Sequence, residues 1–222
     1  MTDKSQNVGD KRRNLQRLSL FALIVALELL LFFTPLGFVP VGPLNLTTLH
    51  LPVILASVIL GTNYGALAGF IFALLSFLKN TFAPSLTSFV FSPFVSFAEV
   101  GGNVWSLVIC FVPRIILGIA PVLFMKLQEK FVPKEKYKQA LSAAIAALLS
   151  TILHTVMVLS GIYIFFAEPY AEALSVAVEA VLGMLGLTVI TNGIIEAILA
   201  AIFSFAFAKV YFEYMKKFKR EV

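Results

Sequence analysis

The chain alternates long apolar runs with short polar or proline-rich stretches, and the runs have the length of membrane-spanning helices. Four of them cover roughly residues 18–34, 104–125, 140–166 and 186–208. A helix needs about 20 apolar residues to cross the hydrocarbon core of a bilayer. Two shorter runs, residues 49–60 and a run that ends near residue 78, flank a tight turn at Gly61-Thr-Asn-Tyr-Gly65. The pattern therefore predicts six helices.

Composition supports this interpretation. The chain has 222 residues, of which 59% are hydrophobic and 13% are charged, whereas soluble domains are about 25% charged. We expect an all-α integral membrane protein with six transmembrane helices in one domain, residues 1–222. The single cysteine, Cys110, excludes an internal disulfide. The basic residues lie beside the predicted helices, so the net charge of +5 does not indicate a nucleic-acid partner.

The distribution of lysine and arginine predicts the orientation. Nearly all of them fall in three segments, residues 1–16 with Arg17, residues 126–138 and residues 213–222. Cytoplasmic segments of membrane proteins carry this excess, so we expect a multi-pass protein of the cell membrane with both termini in the cytoplasm. The N-terminal segment is expected to be a retained tail rather than a signal peptide. Residues 167–183 carry three glutamates and no basic residue, which predicts an outer segment.

Two outer segments are too apolar or too aromatic for free loops. Residues 38–48 carry no charge and contain Pro40, Gly42 and Pro43, and residues 79–103 are rich in Phe, Ser and Pro. We expect both to fold back over the protein and cap a ligand cavity. The phenylalanines of the second segment fit either an interfacial belt or a hydrophobic lid.

Arg114 is the most informative residue, since it lies roughly ten residues into an apolar run. A charge at that depth is costly and usually has a partner or a function. One interpretation is a structural ion pair with Glu28 or Glu196, which fall at comparable depth. The other is an outward-opening cavity in which the planar guanidinium binds a ligand carboxylate.

Other polar residues could contribute to the same cavity, although each also has a structural interpretation as packing, turn chemistry or a membrane anchor. The candidate ligand-binding residues are Arg114, Asn192, His154, Lys79, Asn80, Asn45, Thr47 and Ser92. Asn192 lies one helical turn before Glu196, on the same face.

Several chemistries have no signature in the sequence. There is no phosphate-binding loop of the Gly-x-x-x-x-Gly-Lys-Ser/Thr type, no His-Glu-x-x-His, and no cluster of acidic residues and histidines at one membrane face. We expect neither catalysis, nor a metal, nor a cofactor bound by this chain. On the first helix, Ser19, Ala22 and Ala26 place small side chains on one face, a pattern typical of close helix packing, and they are a candidate docking surface for a partner.

Taken together, these features resemble the substrate-binding S components of energy-coupling factor (ECF) transporters, and the resemblance covers nearly the whole chain. It depends on the small face of the first helix, Leu51-Pro-Val-Ile54, the Gly61/Gly65/Gly69 stripe and Pro113-Arg-Ile-Ile-Leu-Gly118. The pantothenate-specific members are the most similar, on Thr34-Pro-Leu-Gly37, Leu49-His-Leu-Pro52, Lys79-Asn-Thr81 and Ser88-Phe-Val-Phe-Ser-Pro93.

The resemblance implies that the chain binds a vitamin from outside, most simply pantothenate, and docks through the Ala22/Ala26 face onto a separate transmembrane coupling subunit. Two ATPase subunits would then use ATP to drive uptake. Three alternatives stay open. One is an S component for riboflavin or a pyridoxine-type vitamin, and another is a self-sufficient proton-coupled carrier in which Glu28, Glu196 and His154 form a relay. The third is a membrane enzyme or scaffold with no transported substrate, of which the missing catalytic cluster disfavours the enzyme.

Overall fold

The computed structural model describes residues 2–41, 43–97, 99–131 and 138–218. The helices are α1 (Thr2–Phe33), α2 (His50–Leu60), α3 (Thr62–Phe82), α4 (Val104–Glu129), α5 (Lys138–Ala173), α6 (Val178–Thr188) and α7 (Ile194–Phe218), and the strands are β1 (Phe38–Val41), β2 (Leu44–Thr47), β3 (Ser96–Phe97) and β4 (Val100–Gly101). A five-residue π-helical turn, Val189–Gly193, joins α6 to α7.

The predicted all-α membrane fold is confirmed, with one helix shorter than a full span. Five helical segments of the described chain are long and apolar enough to cross a membrane, the last of them running from α6 through α7. The remaining one of the six predicted helices is α2, which has 11 residues. At about 1.5 Å per residue it is roughly half as long as the hydrocarbon core is thick.

Several predicted helix boundaries were wrong. Helix α1 begins at Thr2 rather than near Leu18, and α5 continues to Ala173 through a non-helical residue at Phe166. Residues 167–183, predicted to be an outer segment, are therefore largely helical, because α6 begins at Val178. Of the predicted inner loop, α4 occupies the part up to Glu129, while residues 132–137 and the tail end, 219–222, lie outside the described residues.

Both predicted caps lie at one end of the bundle, where α1 ends and α2 begins. The first cap is an antiparallel hairpin of β1 and β2, in which Phe38 pairs with Thr47 and Val41 with Leu44. The second cap begins at residue 83 rather than 79, because α3 continues to Phe82. It contains a short 3₁₀ turn at Ser88–Val90 and the two-residue strands β3 and β4. A hydrogen bond of 2.8 Å from Thr87 Oγ1 to the carbonyl of Pro43 joins the two caps.

The glycine stripe of α3 is the surface on which α4 packs. A Cβ added to Gly65 would collide with the carbonyl of Gly118, and one added to Gly69 would collide with the carbonyl of Arg114. The two helix backbones are therefore in direct contact. Gly61 has a different role, because its φ of 98° makes the turn between α2 and α3. The predicted five-residue turn is in fact this single residue.

Candidate functional site

A cavity lies beneath the two caps, between the helices of the capped end. Residues from both caps and from α3, α4, α5, α6 and α7 line it, together with the π-helical turn. The lining residues are Phe38, Leu44, Asn45, Thr47, Ser76, Asn80, Ser85, Thr87, Phe91, Arg114, His154, Thr155, Val158, Leu159, Thr188, Asn192, Gly193 and Glu196. Arg114, the most informative of the predicted ligand-binding residues, is among them.

Pro113 explains how the side chain of Arg114 is held inside the membrane. A proline has no N–H, so the carbonyl four residues earlier, that of Ile109, loses its usual helical donor. The Nη1 atom of Arg114 donates to that same carbonyl at 2.7 Å. Pro113 thus leaves the carbonyl of Ile109 free to accept, and the neighbouring Arg114 donates to it. This hydrogen bond holds the guanidinium against its own helix.

Aromatic rings complete the surroundings of the guanidinium. Its central carbon lies 4.9 Å from the ring centroid of Phe91 and 5.5 Å from that of Phe72, which are cation–π distances. Ser76 Oγ accepts a long hydrogen bond of 3.5 Å from Nη2. Arg114 is only 4% exposed, so these neighbours replace water around a buried cation.

Arg114 has no anionic partner within the described chain. It forms no ion pair with Glu28 or Glu196 there, and Glu196 attracts it only through space. Glu28 is fully buried in α1 and does not line the cavity. The interpretation of Arg114 as one half of a structural ion pair therefore finds no support in the geometry, and the proposed relay of Glu28 with Glu196 and His154 is not assembled.

The hairpin is fastened to the helices by side chains one helical turn apart. Asn192 donates from Nδ2 to the carbonyls of Leu44 and Val41, at 2.9 and 3.3 Å. Glu196 accepts at Oε1 a 2.6 Å hydrogen bond from the backbone N–H of Thr47. The π-helical turn places Asn192 in this position, as such turns often do at functional sites. The side chains of Asn192 and Glu196 consequently hold the first cap closed over the cavity, through hydrogen bonds to main-chain atoms of both strands.

Most of the predicted ligand-binding residues meet in this cavity. Six line it: Asn45, Thr47, Asn80, Arg114, His154 and Asn192. Lys79 and Ser92 do not. Lys79 is half-buried near the end of α3, and Ser92 bonds to Thr81 at 2.8 Å inside the second cap. Their proximity in sequence to the cavity misled the prediction, since neighbours on a helix or in a loop face different directions.

Some residues that line the cavity were not among those predicted from sequence. Thr87 contacts the first cap, Ser76 contacts Arg114, and Phe91 covers the guanidinium of Arg114. Ser76 lies four residues before Asn80, so the helical repeat offered a signal for it. Thr87 and Phe91 come from an irregular segment, for which periodicity gives no signal. Of the phenylalanines there, Phe89 and Phe91 are buried, whereas Phe94 and Phe97 are exposed.

The candidate docking surface is separate from the cavity. Ser19, Ala22 and Ala26 are all exposed along α1, which is the accessibility that a docking surface requires. Several large apolar side chains on the same helix, such as Leu23 and Leu30, are also exposed. Binding of a partner here stays a prediction.

Comparisons with known proteins identify the family of the chain. Residues 16–206 match the family described as "ECF transporter, substrate-specific component". The chain is also 38% identical over 165 residues to the pantothenic acid transporter PanT of Lactococcus lactis subsp. cremoris (strain MG1363), an alignment that covers 74% of this chain and 76% of that protein. The chain therefore belongs to the substrate-specific components of ECF transporters.

Proposed function

We propose that the chain binds pantothenate in the capped cavity and releases it on the other side of the membrane with the help of partner subunits. The capped end would face outward, as the distribution of basic residues predicts. The name of the relative PanT supports pantothenate as the ligand. The chain itself would perform no catalysis and bind no cofactor.

The observation that carries this proposal is the unpaired guanidinium of Arg114 in the cavity. A buried cation without an anionic partner is costly, and a ligand carboxylate would neutralise it. Arginine binds carboxylates through two parallel hydrogen bonds. Pantothenate has one carboxylate, whereas riboflavin and pyridoxine have none, so Arg114 favours pantothenate over these alternatives.

The remaining lining fits the rest of this molecule. Pantothenate carries an amide and two hydroxyl groups around a branched hydrocarbon centre. The cavity offers neutral polar groups on Asn45, Thr155 and His154 and an apolar wall of Val158 and Leu159. Small-molecule sites commonly combine a mainly apolar wall with a few polar groups in this way.

Energy for transport would come from other subunits. The sequence has no phosphate-binding loop, and membership in the family implies a transmembrane coupling subunit and ATPase subunits. Docking would use the Ser19/Ala22/Ala26 surface of α1.

Calorimetric titration of the purified protein tests the choice of ligand. We expect one-to-one binding of pantothenate and no binding of riboflavin or pyridoxine under the same conditions. Tight binding of either of the other vitamins would overturn the proposed ligand while leaving the family unchanged. Transport in vesicles that lack the coupling subunit and the ATPases would contradict the proposed energisation.

A further inference from the structure

We infer that Glu196 is a second specificity-determining residue, which accepts a hydrogen bond from a ligand hydroxyl while Arg114 binds the ligand carboxylate. This inference rests on the proposed function, since it assigns the two ends of the same ligand to two groups in the same cavity. It also explains why a buried glutamate stands beneath the first cap.

The two carboxylate oxygens of Glu196 have different surroundings. Oε1 accepts the 2.6 Å hydrogen bond from the N–H of Thr47. Oε2 has no hydrogen-bond partner among the described residues and, unlike the oxygens of Glu28, it is not fully buried. Glu196 as a whole is 7% exposed and lines the cavity. One oxygen therefore holds the cap and the other is open to a ligand.

Glu28 is an example, in the same protein, of a buried carboxylate that is not available to a ligand. Both of its oxygens are sealed and have no hydrogen-bond partner, and the side chain does not line the cavity. A carboxylate with that environment serves no ligand in this conformation. Glu196 differs because the cap satisfies one of its oxygens and the side chain lines the cavity, where a donor to the other oxygen would lower the cost of burial.

Two other polar side chains of the cavity, Asn192 and Asn80, are already in use. Asn192 donates to two carbonyls of the hairpin and accepts from Thr191 at 2.9 Å. Asn80 donates to the carbonyl of Ser76 and accepts from Ser88. Their amides hold the caps in place, so of these three side chains Glu196 is the one that keeps an unused acceptor.

Charge then fixes the orientation of the ligand. A carboxylate is attracted to Arg114 and repelled by Glu196, whereas a hydroxyl can donate to Glu196. A ligand with an acid at one end and hydroxyls at the other fits the cavity in one direction. Since Oε1 of the same side chain bonds to Thr47, hydroxyl binding and closure of the first cap share one residue.

The test measures the affinity of the intact protein for pantothenate and for two analogues, one without the hydroxyls and one without the carboxylate. The ligands are pantothenate, its analogue with hydrogen in place of both hydroxyls, and panthenol, in which an alcohol replaces the carboxylate. For the wild type we expect a preference for pantothenate over the deoxy analogue of about tenfold or more, as for a hydrogen bond to a charged group. Glu196→Gln should reduce that preference to about threefold or less and leave the preference over panthenol unchanged.

Glu28→Gln is the matched control, because it removes a buried carboxylate that does not line the cavity. We expect it to retain both preferences. The inference is overturned if Glu196→Gln discriminates against the deoxy analogue as strongly as the wild type does, or if Glu28→Gln loses the preference equally. Failure of the wild type to bind pantothenate would instead refute the proposed function, so the two failures are distinguishable.

Discussion

At the scale of single residues, the site depends on groups whose ordinary partners are missing. Pro113 leaves the carbonyl of Ile109 without a helical donor, and Arg114 takes the vacant place. Arg114 in turn has no anionic partner within the described chain, which leaves it available to a ligand. The guanidinium of Arg114 thus replaces the missing helical donor to Ile109, and we propose that the carboxylate of the ligand supplies the missing anion beside Arg114.

Pro113→Ala should weaken pantothenate binding although it repairs the helix. The new N–H of residue 113 would compete with Arg114 for the carbonyl of Ile109, and loss of one such hydrogen bond is worth about 0.5–1.5 kcal/mol, or roughly two- to tenfold in affinity. Pro121→Ala is the matched control, since Pro121 lies in the same helix but outside the cavity lining. Calorimetry on both variants decides the matter, and equal effects would contradict the role of Pro113.

At the scale of the elements, the close contact of α3 with α4 determines where Arg114 lies. Gly65 and Gly69 bring the backbone of α4 against α3, and the carbonyls they meet are those of Gly118 and Arg114 itself. The sequence predicted this packing, because small residues repeated every fourth position. It did not predict the hairpin of the first cap, since four-residue strands give too short an alternation to recognise beside proline and glycine.

Gly118→Ala should destabilise the protein by about 1–3 kcal/mol, because an added methyl group would overlap the backbone of Gly65. The measurement is thermal unfolding in detergent. Gly186→Ala in α6 is the control, since nothing lies within 4 Å of its added Cβ, and alanine in a helix is more favourable than glycine. A variant at Gly118 as stable as that at Gly186 would mean that the two backbones are less closely packed than described.

At the scale of the whole molecule, the long apolar runs were enough to identify the membrane fold. Asn45, Thr47, Asn80, His154 and Asn192, which the sequence offered as candidate ligand-binding residues because they are polar, line one cavity with Arg114. Long apolar runs constrain a chain strongly in a bilayer, because every backbone polar group must be bonded internally. The sequence could not distinguish Lys79 and Ser92 from true lining residues. That distinction depends on side-chain direction at the end of α3 and in an irregular cap.

The exposed small-residue surface of α1 is the second functional surface that we propose for the molecule. Ala22→Leu or Ala26→Leu should leave pantothenate affinity unchanged and abolish copurification with the coupling subunit, because the added side chain blocks close helix packing. Ala180→Leu, an exposed alanine of α6, is the control and should copurify normally. Loss of ligand binding in the α1 variants, or unimpaired copurification, would place the docking surface elsewhere.

The central claim is that Arg114 binds the carboxylate of pantothenate, and titration of wild-type protein and Arg114→Ala with pantothenate and with panthenol tests it most directly. Lys79→Ala, which removes a nearby cation that does not line the cavity, is the matched control. The account predicts that Arg114→Ala weakens pantothenate binding at least tenfold, about 1.4 kcal/mol, with little change for panthenol, and that Lys79→Ala changes neither. Unaltered pantothenate binding by a folded Arg114→Ala protein, or an equal loss for both ligands, would contradict it.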